Sequence, residues 1–130
     1  MARVLVDTSG IYALIDRDDA NHAAARAALD RMRGRRDEPI ISNFILAECH
    51  ALLLARLGPD VARRWLSTSV WAIHRVTPED ESAAREIIYT QVDKRYSFTD
   101  ATSFAIMKRL HIRTALAFDR HFPQFGIKLE

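Results

Sequence analysis

Four acidic residues are the side chains of this sequence best suited to chemistry: Asp7, Glu48, Asp100 and Asp119. Clustered carboxylates repel one another and take up protons unless divalent cations neutralise them. A ligand set of oxygens, with no Cys or His, suits Mg²⁺ or Mn²⁺. Such a site serves phosphoryl chemistry, because the metal activates a water molecule and stabilises the attacking and leaving oxygens. The four acids form one site only if the fold brings them together.

Glu48 is the only acid between Asn43 and Arg56, a stretch rich in Ile, Leu and Ala. Because this stretch is apolar almost all round at helical spacing, we expect its helix to be buried, and Glu48 with it. A buried carboxylate costs roughly several kcal/mol unless a cation or strong hydrogen-bond donors compensate it. An ion pair with an arginine is the alternative, although the sequence offers no obvious local partner. Glu48 gives the strongest single indication of a buried cation.

Asp7 and Asp119 each follow a short apolar run that is typical of a buried parallel strand. In open α/β sheets, ligands collect at the carboxyl ends of strands, near the point where the strand order reverses. Either Asp alone could simply cap the next helix. Two strands that end in the same way favour a shared site.

Asp100 stands three residues after Ser97, a spacing typical of a capping box at a helix start. Taken singly, Asp100 is explained by this cap and by the helix dipole. The same position nevertheless projects a carboxylate from a helix start toward a crevice at the strand ends. Asp100 is therefore predicted to join the site only because the other three acids are present.

Short strands alternating with helices predict an α/β fold with a mostly parallel sheet. The predicted strands are 3–7, 40–41, 72–76 and 114–118, with an edge strand at 128–129. The predicted helices are 9–16, 19–33, 43–57, 60–69, 78–92 and 97–110. We expect residues 1–130 to form a single domain, because 48% of them are hydrophobic and the 4 Gly and 4 Pro are not concentrated into a linker.

The composition favours a cytoplasmic protein that acts on a polyanion. The apolar run near the N-terminus is too short for a secretory signal, and no segment approaches a membrane span. The single Cys49 is interpreted as a buried core residue in a reducing compartment, and no zinc-binding spacing is present. The net charge is only +2. If the four acids face a metal, the remaining surface is more basic and suits a polyanion, and an ordinary mixed-charge surface is the alternative.

Several other residues have two interpretations. For the basic run between Arg31 and Arg36 we favour a solvated face over a surface that guides phosphates. Arg120 and His121 adjoin Asp119 and either contact a phosphate of the ligand or belong to the surface. The two tryptophans are interpreted as core or interface side chains, because no aromatic residues are interleaved with the basic ones: Trp65 and Trp71.

At the acidic positions the sequence resembles the PIN-domain ribonucleases, in particular the VapC-type toxins of prokaryotic toxin–antitoxin pairs. The matching segments are 4–9 (VLVDTS), 45–48 (ILAE), 96–105 (YSFTDATSFA) and 115–122 (ALAFDRHF). They span nearly the whole chain, in the order and at the spacing usual for the family. Each segment alone is a weak signal, whereas the four in series are specific.

The resemblance implies a three-layer α/β/α sandwich with a parallel central sheet that draws the four acids together. It implies Mg²⁺- or Mn²⁺-dependent endonucleolytic cleavage of RNA by metal-activated water, a cognate antitoxin and a homodimer. Taken one by one, the acids that hold the metal in this family correspond to four residues of this sequence: Asp7, Glu48, Asp100 and Asp119. Ser9 matches the small polar residue beside the first Asp, where its hydroxyl could orient a water.

Other functions stay open at this point. An aspartyl-phosphate phosphatase would use Asp7, but it commonly needs a second Asp two positions on, where this sequence has Ser9. A receiver domain would place its phosphoryl acceptor on a middle strand, and neither alternative explains Glu48. A housekeeping RNA-processing PIN protein, a nuclease acting on structured DNA, and a non-catalytic module that binds a basic peptide in an acidic cleft are further alternatives.

Overall fold

The computed structural model describes residues 1–68 and 71–130, and it contains a parallel sheet of five short strands. The strands are β1 (Arg3–Val6), β2 (Glu38–Ser42), β3 (Ala72–His74), β4 (Thr114–Leu116) and β5 (Lys128–Leu129). The helices are α1 (Thr8–Ile15), α2 (His22–Gly34), α3 (Asn43–Leu57), α4 (Pro59–Thr68), α5 (Pro78–Thr90), α6 (Phe98–Arg109) and α7 (His121–Gln124). The predicted α/β class and the parallel sheet are confirmed.

The strand order is β3-β2-β1-β4-β5, and every pair is parallel. The chain moves outward from β1 through β2 to β3, returns to place β4 on the free side of β1, and continues to β5. Right-handed crossovers put the helices of these two halves on opposite faces of the sheet. In agreement, α1 to α4 contact one another, and α5 to α7 form a second group. The order reverses between β1 and β4, which is where ligands collect in such sheets.

The core forms where the apolar runs predicted it. Val4, Leu5 and Val6 of β1 are fully buried, as are Ile40 and Ile41 of β2. This continuous burial is expected for parallel strands covered on both faces. Cys49 is buried and unpaired, and burial raises the pKa of its thiol to about 12, so the predicted core role is confirmed.

The predicted aromatic core residues also lie in the expected environment. Trp65 and Trp71 are partly buried and pack against the hydrophobic core.

No helix among residues 1–68 and 71–130 is long and apolar enough to cross a membrane.

Two strands end earlier than predicted because side chains accept hydrogen bonds from the backbone amides that would have continued them. The strand predicted to reach residue 76 ends at His74, since the amide of Val76 donates to Oδ1 of Asn43. The strand predicted to reach residue 118 ends at Leu116, since the amide of Phe118 donates to Oγ of Ser9. Such local bonds offer the backbone an alternative to the ladder.

Helix boundaries differ for related reasons. The helix predicted from residue 19 begins at His22, because Asp16 and Asp19 accept hydrogen bonds from the amides of Asp18 and Asn21 and hold this segment in turns. The helix predicted over 60–69 is described as far as Thr68, and its predicted last residue lies outside the described part of the chain. The single-turn helix α7 was not predicted.

Candidate active site

The two central strands deliver Asp7 and Asp119 to the same edge of the sheet. Val6 of β1 is in register with Leu116 of β4, and the amide of Asp7 continues the pairing by donating to the Leu116 carbonyl oxygen at 3.0 Å. Helix α1 then starts against β4, which requires a glycine. A Cβ at Gly10 would lie 2.4 Å from the Leu116 oxygen. The close approach of α1 to β4 therefore fixes Asp7 beside the end of β4.

Asp7 is the most deeply buried of the four acids, with 3% of its surface exposed. Its Oδ2 atom caps α1 and accepts hydrogen bonds from the amide and hydroxyl of Ser9, at 3.2 and 2.7 Å. Its Oδ1 atom is buried and has no hydrogen-bond partner among the described residues. Burial, together with the charges of Asp100 and Glu48, raises the pKa of Asp7 to about 6 against the lowering effect of the Ser9 bonds.

An unpartnered oxygen on a buried carboxylate needs an explanation, because nearly all buried polar atoms are satisfied. A divalent cation bound at this oxygen would supply one, since it would pair with the oxygen and favour the charged form. From the sequence, we inferred a buried cation because Glu48 was expected to be buried. In the structure the same inference rests on Asp7.

Asp100 and Asp119 approach each other through a histidine. His121 Nδ1 lies 3.0 Å from Asp100 Oδ2 and 3.2 Å from Asp119 Oδ1. One ligand atom from each of these three residues lies within 4.8 Å of the others, close enough to share a metal ion. The backbone holds this arrangement, because the amide of His121 also donates to Asp119 Oδ1 at 2.9 Å. Of its two interpretations, the proximity of His121 to the acids favours a role at the site.

Asp100 caps helix α6 and also lines the candidate site. Ser97 and Asp100 form the predicted capping box, in which each side chain bonds the other's backbone amide. Thr77 and Asp80 form the same box at the start of α5. There the carboxylate is neutralised by a two-point ion pair with Arg109, at 2.9 Å for both bonds. Asp100 has no arginine partner in the described chain and faces the cleft instead.

Glu48 is half-buried, which contradicts the prediction that its helix is buried on all sides. Helix α3 buries one stripe, formed by Ile45, Cys49 and Leu53, and Leu54 is 46% exposed. The apolar composition of this stretch does not show how many other helices and strands pack against α3. Glu48 nevertheless borders the same cleft as Asp7, and its Oε1 atom accepts a hydrogen bond from Thr8.

The four predicted acids line one cleft, which we call the acidic cleft. Its other polar lining residues are Thr8, Ser9, Arg56, Arg95, Ser97 and His121. The cleft opens at the carboxyl ends of β1 and β4, where helices α3 and α6 of the two layers contact each other. The sequence-predicted site residues are therefore neighbours in the structure.

The basic run between Arg31 and Arg36 lies elsewhere. It leads into β2, whose first residue Glu38 pairs with Arg3 at the amino end of β1, opposite the acidic cleft. Arg35 is bound in ion pairs to Asp37 and Glu130. The predicted solvated face is consistent with this position, and the ion pairs of Arg35 are an addition that the sequence did not predict.

Comparison with known proteins identifies the fold family. Residues 4–128 match the family model described as PIN domain. The chain belongs to the PIN-domain family. It is 34% identical over 127 residues to the 23S rRNA-specific endonuclease VapC20 of Mycobacterium tuberculosis, covering 95% of this chain and 94% of that protein. It is 28% identical over 123 residues to Ribonuclease VapC26 of the same organism, covering 92% and 89%.

Solved structures agree with this assignment. The crystal structure of Mycobacterium tuberculosis VapC20, described as a sarcin-ricin loop cleaving toxin, matches with a TM-score of 0.85 and 33% identity over 95% of each chain. The structure of VapBC2 from Rickettsia felis, bound to a DNA fragment from the promoter, matches with a TM-score of 0.75 at 14% identity, covering 100% and 98%, which supports the fold alone. The resemblance inferred from the sequence and its α/β/α fold are confirmed. The predicted ribonuclease activity agrees with the names of both relatives, and the phosphatase and receiver alternatives are excluded.

Three groups in this PIN domain's cleft were not singled out from the sequence: Thr8, Arg56 and Arg95. The sequence carried a signal for Arg56, which follows Glu48 by eight residues and so shares its helix face. Thr8 was passed over in favour of Ser9, because the direction of the Thr8 hydroxyl depends on how α1 meets α3. Arg95 precedes the Ser97 cap in an irregular segment, where no periodicity predicts the direction of a side chain.

Proposed function

We propose that this chain is a metal-dependent endoribonuclease and the toxin of a toxin–antitoxin pair. Residues 1–130 would act as one nuclease domain in the cytoplasm. The observation that carries the proposal is the unpartnered, buried Oδ1 atom of Asp7 in a cleft lined by three further carboxylates. A module that only bound a basic peptide would not need a buried carboxylate whose charged form burial disfavours.

The donor set fits a divalent metal ion. Asp7, Asp100 and Asp119 would hold it, with Glu48 at the edge of the cleft. Carboxylate oxygens suit Mg²⁺ and Mn²⁺ alike, whereas the imidazole of His121 beside them shifts the preference toward Mn²⁺. When bound, such an ion supplies charge neutralisation at the phosphate and a lowered pKa for an attacking water.

The chain's own residues would then orient the reactants. Glu48, which accepts a hydrogen bond from the Thr8 hydroxyl, would hold the attacking water and accept its proton. In-line attack on phosphorus forms the new P–O bond and breaks the bond to the 3′ oxygen, which leaves as a hydroxyl once protonated by solvent. Ser9 fixes Asp7 through its hydroxyl and joins it to the end of β4 through the amide of Phe118. We assign Ser9 the role of a positioning residue.

The partner would be an antitoxin that covers the acidic cleft. Support comes from the related proteins, since VapC20 is described as a toxin and the Rickettsia structure contains VapBC2. An arginine of the antitoxin would compete with metal for the carboxylates. A homodimer is proposed on family resemblance alone. The genomic test is a small upstream gene for a DNA-binding protein whose product co-purifies with this chain and suppresses its activity.

The activity is tested by incubating the purified chain with 23S rRNA and Mn²⁺ and mapping the cleavage sites by primer extension. That RNA is chosen because the VapC20 relative is named for it. We expect discrete cleavage by wild type, loss in EDTA, and a loss of about a hundredfold or more in Asp7→Asn and Asp100→Asn. Asp60→Asn is the matched control, because Asp60 lies on exposed α4 with 88% of its side chain accessible. Equal cleavage by wild type and Asp7→Asn would contradict the proposal.

A further inference from the structure

An acidic cleft that binds RNA faces an electrostatic problem. Metal ions can neutralise the carboxylates and the phosphate under attack, but RNA carries a charge on every nucleotide. The phosphates on either side of the reacting one would be repelled unless fixed cations contact them. Any such cations should line the cleft, point into solvent and be free of competing carboxylates.

Arg56 meets these requirements on the α3 wall of the cleft. It lies eight residues after Glu48 with Leu52 between them, so the three share one helix face and all line the cleft. Its guanidinium carbon lies 5.2 Å from the centre of the Tyr12 ring. The Tyr12 hydroxyl donates to Asp16 at 2.6 Å, which fixes the ring. The contact with the ring holds the guanidinium group on the cleft wall, and the charge of Asp16 also attracts it. Arg56 is exposed and makes no direct ion pair among the described residues, so it can still bind a phosphate.

Arg95 meets the same requirements from a different segment of the chain. It lies between α5 and α6, two residues before the Ser97 cap and five before Asp100, and it lines the same cleft. Its side chain is exposed. Neither Arg95 nor Arg56 has a carboxylate partner within 4.0 Å in the described chain, in contrast to Arg35 and Arg109.

We infer that Arg56 and Arg95 bind the RNA phosphates that flank the scissile one, and that they provide substrate affinity while the acids provide chemistry. This inference rests on the proposed ribonuclease function. The guanidinium fork matches two phosphate oxygens and stays charged at any working pH. Two cations on separate elements, with the carboxylates in the same cleft, would also set the path along which the strand crosses the site.

The test compares Arg56→Gln and Arg95→Gln with the matched control Arg113→Gln. Arg113 is exposed, and it directly precedes β4 at the opposite edge of the sheet. The dissociation constant of a short fluorescein-labelled single-stranded RNA is measured in EDTA at several KCl concentrations, so that neither metal nor cleavage contributes. The KM and kcat for 23S rRNA cleavage are measured separately with Mn²⁺. Thermal denaturation confirms that each variant is folded.

Each cleft variant should weaken RNA binding about threefold to tenfold and lower the slope of log Kd against log salt by about 0.7, the value for one contact to a single strand. KM should rise with kcat little changed, and Arg95→Lys should restore the slope. A slope and KM equal to those of Arg113→Gln would overturn the inference, even if wild type cleaves RNA. If instead the cleft variants lose RNA affinity but no protein cleaves, the proposed function fails and the RNA-binding role stands.

Discussion

Thr8 donates a hydrogen bond through Oγ1 to Oε1 of Glu48 at 2.7 Å, across forty residues of sequence. The bond joins the first residue of α1 to the middle of α3, and Thr8 is only 6% exposed. It therefore orients a half-buried carboxylate whose direction the helix alone would leave free among several rotamers.

Replacing Thr8 by Val should test this orienting role, because Val keeps the shape and removes the hydroxyl. Losing a hydrogen bond to a charged group costs about 1.5–3 kcal/mol. If the bond is needed to hold Glu48 for the attacking water, kcat for RNA cleavage should fall about tenfold or more. Thr8→Ser is the control, since it keeps the hydroxyl and should retain most activity. A Thr8→Val variant with the wild-type kcat would show that the Thr8 hydroxyl is not needed to orient Glu48 for RNA cleavage.

Asp7→Asn should make the metal-free protein more stable while abolishing metal binding. The wild-type carboxylate is buried with one oxygen unpartnered, so removing its charge relieves an uncompensated cost. We expect a gain of about 1–2 kcal/mol at neutral pH, or a rise of several degrees in Tm, measured by calorimetry in EDTA. Mn²⁺ should raise the Tm of wild type and leave that of the variant nearly unchanged. A destabilised variant would indicate that the charge of Asp7 is already compensated without metal.

The same carboxylate predicts the pH dependence of stability. The folded pKa of Asp7 is raised from 3.8 to about 6, so the folded protein binds this proton more tightly than the unfolded chain does. The resulting stability is fully present below about pH 4 and is lost as the pH rises through about 6, to a total of about 3 kcal/mol. Denaturant unfolding of wild type and Asp7→Asn in EDTA isolates this contribution as their difference. Saturating Mn²⁺ should reverse it, since the metal favours the charged form.

The Asp80–Arg109 pair should prove structural, in contrast to the Asp100 box. Burial raises the pKa of Asp80, but the bonds from Arg109 and Thr77 outweigh it and hold the pKa below its usual value. Arg109→Met should cost about 2–3 kcal/mol above pH 5, because it leaves the carboxylate buried and unpaired. That difference should shrink as the pH falls and Asp80 is protonated in the variant. Mn²⁺ affinity should stay at the wild-type level.

Asp100→Asn provides the complementary measurement. It should lose Mn²⁺ binding with little loss of stability, because an Asn side chain can still accept the capping hydrogen bond from Ser97. If Arg109→Met and Asp100→Asn both changed stability and Mn²⁺ binding in parallel, the distinction between the capping boxes of Asp80 and Asp100 would be wrong.

The sheet and the meeting of the acids could be predicted from sequence because both follow from local patterns. Apolar runs that end in Asp7 and Asp119 indicated strand ends, and parallel strands bring such ends to one edge. The capping box at Ser97 placed Asp100 at a helix start without any tertiary information.

Tertiary contacts set the features that the sequence did not predict. Burial of Glu48 was overestimated, because an apolar helix does not reveal how many neighbours cover it. The unpartnered oxygen of Asp7 and the close approach of α1 to β4 at Gly10 are features that no local pattern indicated. His121 reaches two acids through a helix of a single turn, which has no periodicity to detect.

The strand order also has a consequence for the timing of synthesis. Strand β4 lies in the sheet beside the central strand β1, yet it is made after β2 and β3 and after helices α1 to α6. Until β4 leaves the ribosome, one side of β1 has no neighbour, and the carboxylates of Asp7 and Asp119 cannot meet. A nascent chain therefore carries no assembled cleft while most of it is being translated, and the acids meet only after β4 has joined the sheet.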